Sequence, residues 1–434
     1  MIHTCFALVM DGRVATADDA AKLAAFLAPD AGAYVTGQAI NLAGARSCTN
    51  VAHRAPGTPA GRRRRDAPRG SRCPGRTGEG RGRRLKVAVL LADLNAPDRG
   101  RGDENVLYEG AQEADAALMS ALAAAGFEAW RVPVDVVNVD EVIGTLECDV
   151  AFNLCEGSGP RGDGLPGVEV VEALERRRIP YTGARAEFYR LGCSKVAMKE
   201  RFLRAGLATP AYQVFHSPGY PLDPELARRF PLIVKISDSG GSAGIHLRSV
   251  VRDPAELRAQ LTEVVGTYGH ALVEEYIDGR EVTVALLGQG RGLRVFAPLE
   301  LRFSPVFPAE RHIQTFELKW DRTSPMYAGF EWLCPAPLES GQRRRLLSAA
   351  RAAYRAVRGS GYGRVDFRLR GETPFVLEVN ANPSLDWSEH DEYARAEYPI
   401  VAAAAGWSYP RLLQEIVRQA LRLATASRRP RRRH

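Results

Sequence analysis

The sequence predicts a mixed α/β and α+β protein of more than one domain, and three observations carry that prediction. Between residues 85 and 185, short apolar runs alternate with helix-length segments, the pattern of a doubly wound parallel sheet. From residue 186 onward the runs come as strand pairs with helices between them, which suggests α+β lobes. A chain of 434 residues also exceeds what a single hydrophobic core usually organises.

In order, LKVAVLLADL (85–94) is a buried-strand run, and EGAQEADAALMSALAAAGF follows as a helix with Gly126 as its C-cap. EAWRVPVD and CDVAFNLCEG are strands, and VEVVEALERRR is a helix before IPYTG. Ligands bind such sheets beyond the strand C-termini, where NLCEGSGPRGDG falls. A helix over 194–205 then leads to AYQVF, PLIVKISDSGGSAGIHLRSV, a helix starting near Asp253, and the strand pair in HALVEEYIDGREVTVALLG. RVDFRLRGETPFVLEVNANP (364–383) reads as two strands joined by a Gly-containing turn, and an apolar helix over 411–424 closes the fold. The expected divisions are an N-terminal α/β domain at 85–185, a small lobe at 186–276 and a C-terminal lobe at 277–425.

Composition is that of an ordinary soluble protein, 45% hydrophobic and 25% charged. No apolar run approaches the roughly 20 residues needed to span a bilayer. No basic segment leads into a signal-peptide core. A cytoplasmic protein without a membrane partner is expected. The formal net charge of +8 sits largely in GRRRRDAPRGSRCPGRTGEGRGRR (61–84) and SRRPRRRH (427–434). These stretches are read as a disordered Arg/Gly/Pro-rich linker (46–84) and a basic tail (426–434), so nucleic acid is not the expected partner. Seven cysteines, an odd number without a C-x-x-C pair, fit reduced thiols rather than disulfides or structural zinc.

Three stretches carry chemistry. In the 364–383 hairpin, Val365, Phe367, Leu377 and Val379 are expected on apolar faces, with Arg364, Asp366, Glu378 and Asn380 on the opposite ones. Two carboxylates and an amide oxygen are hard ligands suited to magnesium, with waters and phosphate oxygens completing the shell. The same face also fits a solvated strand with cross-strand ion pairs. PLIVKISDSGGSAGIHL places Lys235 at a strand end just before Gly240, Gly241, Ser242, Ala243 and Gly244. Small residues let backbone amides approach phosphate and a lysine adds charge; a flexible hairpin tip is the plainer alternative. ALVEEYIDGREV runs a strand into Glu274, Glu275 and a turn, a hinge that fits an adenine edge or an ordinary surface turn, with Glu281 placed for a ribose.

GCSKVAMKERFLRAGLATPAY, PLIVKISDSGGSAGI, LVEEYIDGREVTVALLG, FELKW and GRVDFRL…FVLEVNANP occur in the order used by ATP-grasp enzymes. Over roughly residues 85–425 the chain resembles the D-alanine–D-alanine ligases. NLCEGSGPRGDGLPGVEVVEALERRRIPYTG is similar to that family's segment between its first two domains, and FELKWDRTSPMYAGFEWLCPAPL to its ω-loop and the strand after it. The resemblance implies an ATP-grasp fold preceded by a doubly wound pre-ATP-grasp domain. It also implies a carbon–nitrogen ligase that forms an acyl phosphate from amino or carboxylic acids, with ATP and Mg²⁺ (or Mn²⁺) as cofactors. A place in peptidoglycan synthesis and a homodimer follow from the same likeness. It assigns ATP phosphates to Lys195 and Lys235 under the 240–244 loop with Gly241 and Ser242. It gives adenine to Glu274 and the backbone from Glu275 to Ile277, and ribose to Glu281. Lys319 falls to the terminal phosphate, metal to Asp366, Glu378 and Asn380, and the reacting carboxylate to Arg364. Other ATP-grasp chemistry, such as carboxylation, and a non-catalytic nucleotide-binding protein are the alternatives.

The likeness departs at the amino-acid end. ADLNAPDRGRGDENVLYEG stands where the family has Gly-Gly-x-Ser-x-Glu, leaving Glu104 or Glu109 as substitutes. Glu156-Gly157 replaces His-Gly, Ser384-Leu385-Asp386 follows Asn382-Pro383 in place of Gly-Met-Thr, and Trp320 replaces the ω-loop tyrosine. Residues 1–45 resemble the C-terminal helix and strand of short-chain dehydrogenases, without a Gly-rich cofactor turn or a Tyr-x-x-x-Lys pair. This segment is read as a fusion remnant or an upstream start, with no hydride transfer.

Overall fold

The computed structural model describes residues 9–10, 13–14, 83–93, 111–157, 165–238, 242, 244–305, 307, 312–319, 321, 324, 327, 329–388 and 395–427. The chain divides into two compact units, 1–79 and 80–434. In the first, β1 (Val9–Met10) pairs antiparallel with β2 (Arg13–Val14). The rest of the dehydrogenase-like segment, the linker to residue 82 and the tail from 428 lie outside the described residues, as do Glu104, Glu109 and Trp320.

The second unit begins with β3 (Lys86–Ala92), α1 (Ala111–Ala124), β4 (Glu128–Val134), α2 (Val139–Gly144), β5 (Val150–Asn153) and α3 (Val168–Arg177). The three strands form the expected parallel sheet in the order β4-β3-β5. Its two-sided burial is written in the alternation of β3. Val87 and Val89 join Leu118 and Leu122 of α1, while Ala88 and Leu90 join Ile143 of α2 and Val170 and Leu174 of α3. A parallel strand covered by helices on both faces has no room for polar alternation, which is why it reads as an unbroken apolar run. Gly126 adopts φ +89° just beyond α1, as a C-cap must.

Next come α4 (Ala186–Gly192), α5 (Lys195–Arg204), β6 (Tyr212–Phe215), α6 (Pro224–Ala227), β7 (Leu232–Lys235), β8 (Val250–Val251), α7 (Pro254–Tyr268) and β9 (Ala271–Glu275). The strands make an antiparallel sheet ordered β6-β9-β7-β8. Asp253 caps α7 by accepting from the Ala255 and Glu256 amides at 2.8 and 2.9 Å. One face of this sheet, Leu232, Val234, Ala271 and Val273, packs on Leu257, Leu261 and Val264 of α7. Period-two alternation leaves Lys235 and Glu274 on the other face.

The remaining elements are β10 (Arg280–Leu287), β11 (Arg294–Val295), β12 (Leu299–Phe303), α8 (Phe316–Lys319), β13 (Phe330–Leu333), α9 (Ser340–Ala356), β14 (Tyr362–Arg370), β15 (Thr373–Ala381), α10 (Glu397–Ala404) and α11 (Tyr409–Ser427). Their strands form the largest sheet, β13-β12-β10-β14-β15, with β11 on β10. Val282, Val284, Val365, Phe367, Val376 and Val379 cover Leu346, Ala350 and Ala353 of α9. Each of these buried valine, leucine and phenylalanine side chains contributes about 1.5–3 kcal/mol. No helix among the described residues is long and apolar enough to cross a membrane.

Candidate active site

The 364–383 stretch is an antiparallel hairpin, and its register sets Arg364 opposite Asn380 and Asp366 opposite Glu378. Directly opposed residues on one face of an antiparallel pair hold their Cβ atoms about 4.5–5.5 Å apart, so the four polar side chains converge. The apolar face differs from expectation in one position. The register shifts between Asp366 and Phe367, so Phe367 opposes Val376, and Leu377 is the extra residue of a bulge. Val376, not Leu377, therefore enters the core beside Val379.

Within that face the charges are tightly paired. Arg364 donates from Nε and Nη2 to the two oxygens of Asp366 at 2.8 and 2.9 Å, and from Nη1 to Glu397 Oε2 at 2.6 Å. Asn380 Nδ2 donates to Asp366 Oδ2 at 2.7 Å. Lys195 Nζ lies 3.3 Å from Glu378 Oε2. Burial pushes the Asp366 carboxyl up, with the Glu378 and Glu397 charges adding to it against Arg364. Burial would raise Glu378 too, but Lys195, Lys235 and Arg364 together hold it below the usual carboxylate range. Among the described residues no three His, Cys, Asp or Glu side chains gather as a metal group. The expected set of two carboxylates and one amide remains together.

Helix α5 and the small sheet bring their lysines to the same place. Ser194 caps α5, its hydroxyl accepting from the Ala197 amide at 3.3 Å, and this fixes Lys195 at the first helical position. One turn on, Lys199 is wholly buried. Its Nζ reaches Glu274 Oε1 at 2.8 Å and Thr209 Oγ1 at 3.0 Å, while Lys235 Nζ takes Glu274 Oε2 at 2.8 Å. Thr209 Oγ1 in turn donates to the Val376 carbonyl at 2.8 Å, beside the bulge before Glu378. Burial alone would raise the Glu274 carboxyl, yet the two lysines pull it down to about 2. Burial likewise pushes Lys199 below the ordinary lysine range, against the Glu274 charge.

Other expected residues divide. Glu281, on the β10 face shared with Asp366, pairs with Arg368 at 2.9 Å and accepts from Gln314. Glu275 turns the other way, its carboxylate held by Arg229 at 2.9 Å and Arg370 at 2.7 Å. Its amide, and that of Tyr276, are committed to the Ala211 and Pro231 carbonyls. Ile277 is buried. In the glycine loop, Ser242 adopts φ +66°, a left-handed conformation, and the Ile245 amide donates back to its carbonyl. Gly240, Gly241 and Ala243 lie outside the described residues. The loop's exit is tied to α8, since the Phe316 amide donates to the Ile245 carbonyl at 2.8 Å and His246 Nδ1 meets Glu317 Oε1 at 2.6 Å. At the end of α8, Lys319 lies close enough to Glu397 for its charge to help hold that carboxyl down.

Two residues escaped the sequence reading. Lys199 had a signal, its i,i+4 spacing from Lys195 on one helix face. Glu397 had none, because it reaches Arg364 from a separate helix 33 residues further along.

Glu274 offers a stability test. Its depressed carboxyl contributes stability at neutral pH, and that contribution is lost as pH falls from the ordinary carboxylate range towards 2. Glu274→Gln leaves Lys199 buried without a counter-charge and should destabilise the fold by about 3–5 kcal/mol. Urea unfolding at pH 7 measures it; a loss well under 1 kcal/mol would show that the lysines are relieved by water instead.

Residues 202–418 match the family model for the D-alanine–D-alanine ligase C-terminus. A D-alanine–D-alanine ligase of Anaeromyxobacter dehalogenans is 31% identical over 336 residues, 76% of this chain and 96% of that one. The corresponding enzyme of Geobacter sulfurreducens is 32% identical over 304 residues, 69% of this chain and 84% of its own. Among solved structures, the Bacillus anthracis D-alanine–D-alanine ligase complexed with ATP shares the fold, with a TM-score of 0.58 and 21% identity over 79% of this chain and 99% of that one. With an ATP-grasp architecture and this extent of sequence identity, the chain belongs to the D-alanine–D-alanine ligase family of carbon–nitrogen ligases.

Proposed function

We propose that the protein joins a carboxylic acid to an amine in an ATP-dependent reaction through an acyl phosphate, releasing ADP and phosphate. The observation that carries this reading is the placement of Asp366 opposite Glu378 with Lys195 3.3 Å from Glu378. Acids of the large sheet and a lysine of helix α5 meet there, an arrangement suited to a polyphosphate and its counter-ions. Lys195 and Lys235 bind phosphate oxygens, and Gly241 and Ser242 of the glycine-rich stretch contribute to the same contacts. Glu274, anchored by two lysines, presents its carboxylate at the nucleotide's base. The Glu275 and Tyr276 amides are committed elsewhere, so the hinge's remaining contacts to adenine fall to the Ile277 amide and the chain carbonyls. Glu281 takes the ribose.

Asp366, Glu378 and the Asn380 amide oxygen fit magnesium, a hard cation that prefers few protein oxygens and phosphate oxygens for the rest of its shell. Bound there, the ion would neutralise charge on the transferring phosphoryl group. The chain's own part is positioning and electrostatics. Lys319 reaches the terminal phosphate as the substrate carboxylate oxygen attacks it. Arg364 orients that carboxylate and then stabilises the oxyanion that forms when the amine attacks the acyl carbon. The C–N bond forms from the amine lone pair as the acyl C–O bond to phosphate breaks, and the released proton leaves with phosphate or solvent. Closure of the segment around Lys319 excludes water from the acyl phosphate.

The relatives carry the name D-alanine–D-alanine ligase, so D-alanine is the first donor and acceptor to test. Phosphate release from ATP and Mg²⁺ is followed with a panel of D- and L-amino acids, hydroxy acids and amines. Release should depend on one acid. ATP binding without turnover on any member would point to a nucleotide-binding protein instead. We further read the protein as cytoplasmic and as a homodimer; sedimentation of the purified chain checks the dimer.

A further inference from the structure

Glu274 holds two lysines at once, one on each oxygen. Lys199 Nζ lies 2.8 Å from Oε1 and Lys235 Nζ 2.8 Å from Oε2. The two cations are not equivalent. Lys199 is wholly buried on α5, and its ammonium is fixed on two further sides, by Thr209 Oγ1 at 3.0 Å and by the Tyr212 ring, whose centre is 5.4 Å away. Thr209 is itself tied to the edge of β15. Its hydroxyl donates to the Val376 carbonyl, and the Val376 amide donates to the Ala208 carbonyl, both at 2.8 Å. Lys235 stands at the end of β7 with its side chain 16% exposed, and Glu274 is its one ion-pair partner among the described residues.

The carboxylate between them is cut off from water, its side chain 2% exposed. Withdrawing the counter-charge of a buried anion is costly because it strands the charge that remains. A lysine that was the sole partner of Glu274 would therefore be locked in place. Lys235 is not, since Lys199 stays on the carboxylate from the core side.

We propose that Lys199 is a positioning residue that frees Lys235 for the nucleotide: by neutralising Glu274 from within the core, it lets the Lys235 ammonium pass from the carboxylate to a phosphate oxygen without leaving a buried charge alone. This rests on the ligase reading above, in which Lys235 meets the triphosphate. Lys199 itself touches neither nucleotide nor substrate. The transfer makes and breaks no covalent bond and needs only rotation about the flexible lysine stem. One lysine cannot both neutralise Glu274 and give its full charge to phosphate, whereas two on separate oxygens divide the tasks.

The test uses the full-length protein and compares equilibrium binding of ATP with Mg²⁺ and of adenosine, which keeps the base and ribose but carries no phosphate. In Lys199→Met, Lys235 becomes the only counter-charge of Glu274. ATP affinity should then fall by about tenfold or more, the equivalent of one charge-assisted hydrogen bond, while adenosine affinity changes by less than about twofold. A second variant approaches the pair from the other side. Lys235→Met should melt close to the wild type, because Glu274 keeps Lys199 and Glu378 keeps Lys195 at 3.3 Å. If ATP and adenosine weaken together in Lys199→Met, Lys199 only supports the shape of the site and the inference is overturned. Lys235→Met melting far below the wild type overturns it too, since Glu274 then needs both lysines, and this result decides alone should Lys199→Met not fold. A wild type that binds neither ligand overturns the ligase reading, and this inference with it.

Discussion

Glu378→Gln abolishes ligation and leaves the fold in place. Glutamine has nearly the same shape, and β15 keeps Val376 and Val379 in the core on its other side, so the hairpin retains the contacts that stabilise it. What changes is charge. Glu378 is the acid held ionised by Lys195, Lys235 and Arg364. Without it the face keeps a single hairpin carboxylate, Asp366, which Arg364 already grips at both oxygens. A divalent cation held by this face, as proposed, would lose its better anionic ligand, and turnover should fall by at least the ~10²–10³-fold typical of removing one charge-stabilising group. Lys195 loses a neighbour at 3.3 Å, but Asp366 loses a repulsive one, so the melting temperature should move little. Phosphate release and thermal unfolding measured together decide it. Full activity would remove Glu378 from the metal set, and loss of the fold would make it a structural residue.

The hairpin was legible because a strand's two faces are written in alternate residues, and Arg364, Asp366, Glu378 and Asn380 declare themselves against Val365, Phe367 and Val379. The bulge at Leu377 was not. A single inserted residue leaves no periodic trace in so short a strand, and only the pairing with Phe367 reveals that Val376 turns inward. Lys235 before the glycines was legible as a strand end, but its bond to Glu274 depends on β7 lying antiparallel to β9, a non-local fact. Glu275 illustrates the reverse failure. Adjacent to Glu274 and chemically identical, it faces the opposite side of β9 and is consumed by Arg229 and Arg370. Sequence places both acids at a hinge, and only the sheet's pleat separates the one bonded by Lys199 and Lys235 from the one bonded by Arg229 and Arg370. The doubly wound N-terminal sheet and the later antiparallel ones were readable for the same reason that the Glu397 contact was not. Elements follow local patterns, whereas a contact between β14 and a helix beyond the next loop follows from tertiary packing alone.

Arg364→Gln should give the other large effect, in stability and turnover together. Arg364 is the counter-charge of Asp366 and Glu397, and its side chain is 13% exposed. Removing it leaves two half-hidden carboxylates facing each other, at a cost of about 3–5 kcal/mol in unfolding free energy. It also removes the donor assigned to the oxyanion, for a further ~10²–10³-fold in turnover. The two losses can be separated. Arg364→Gln combined with Glu397→Gln deletes one of the stranded anions, so stability should recover in part while turnover stays low. Arg364→Lys keeps a charge between the acids but cannot grip both oxygens of Asp366, so it should fold better than the glutamine variant and still turn over slowly. Mg²⁺ with ATP adds a further discriminator. If Asp366 faces the metal, cations supplied with the nucleotide should stabilise Arg364→Gln more than they stabilise the wild type, because they neutralise an acid that has lost its guanidinium partner. Equal stabilisation of both proteins would place the divalent ion away from Asp366, and the reading of the hairpin's polar face would then revert to an ion-pair network that only orders two strands.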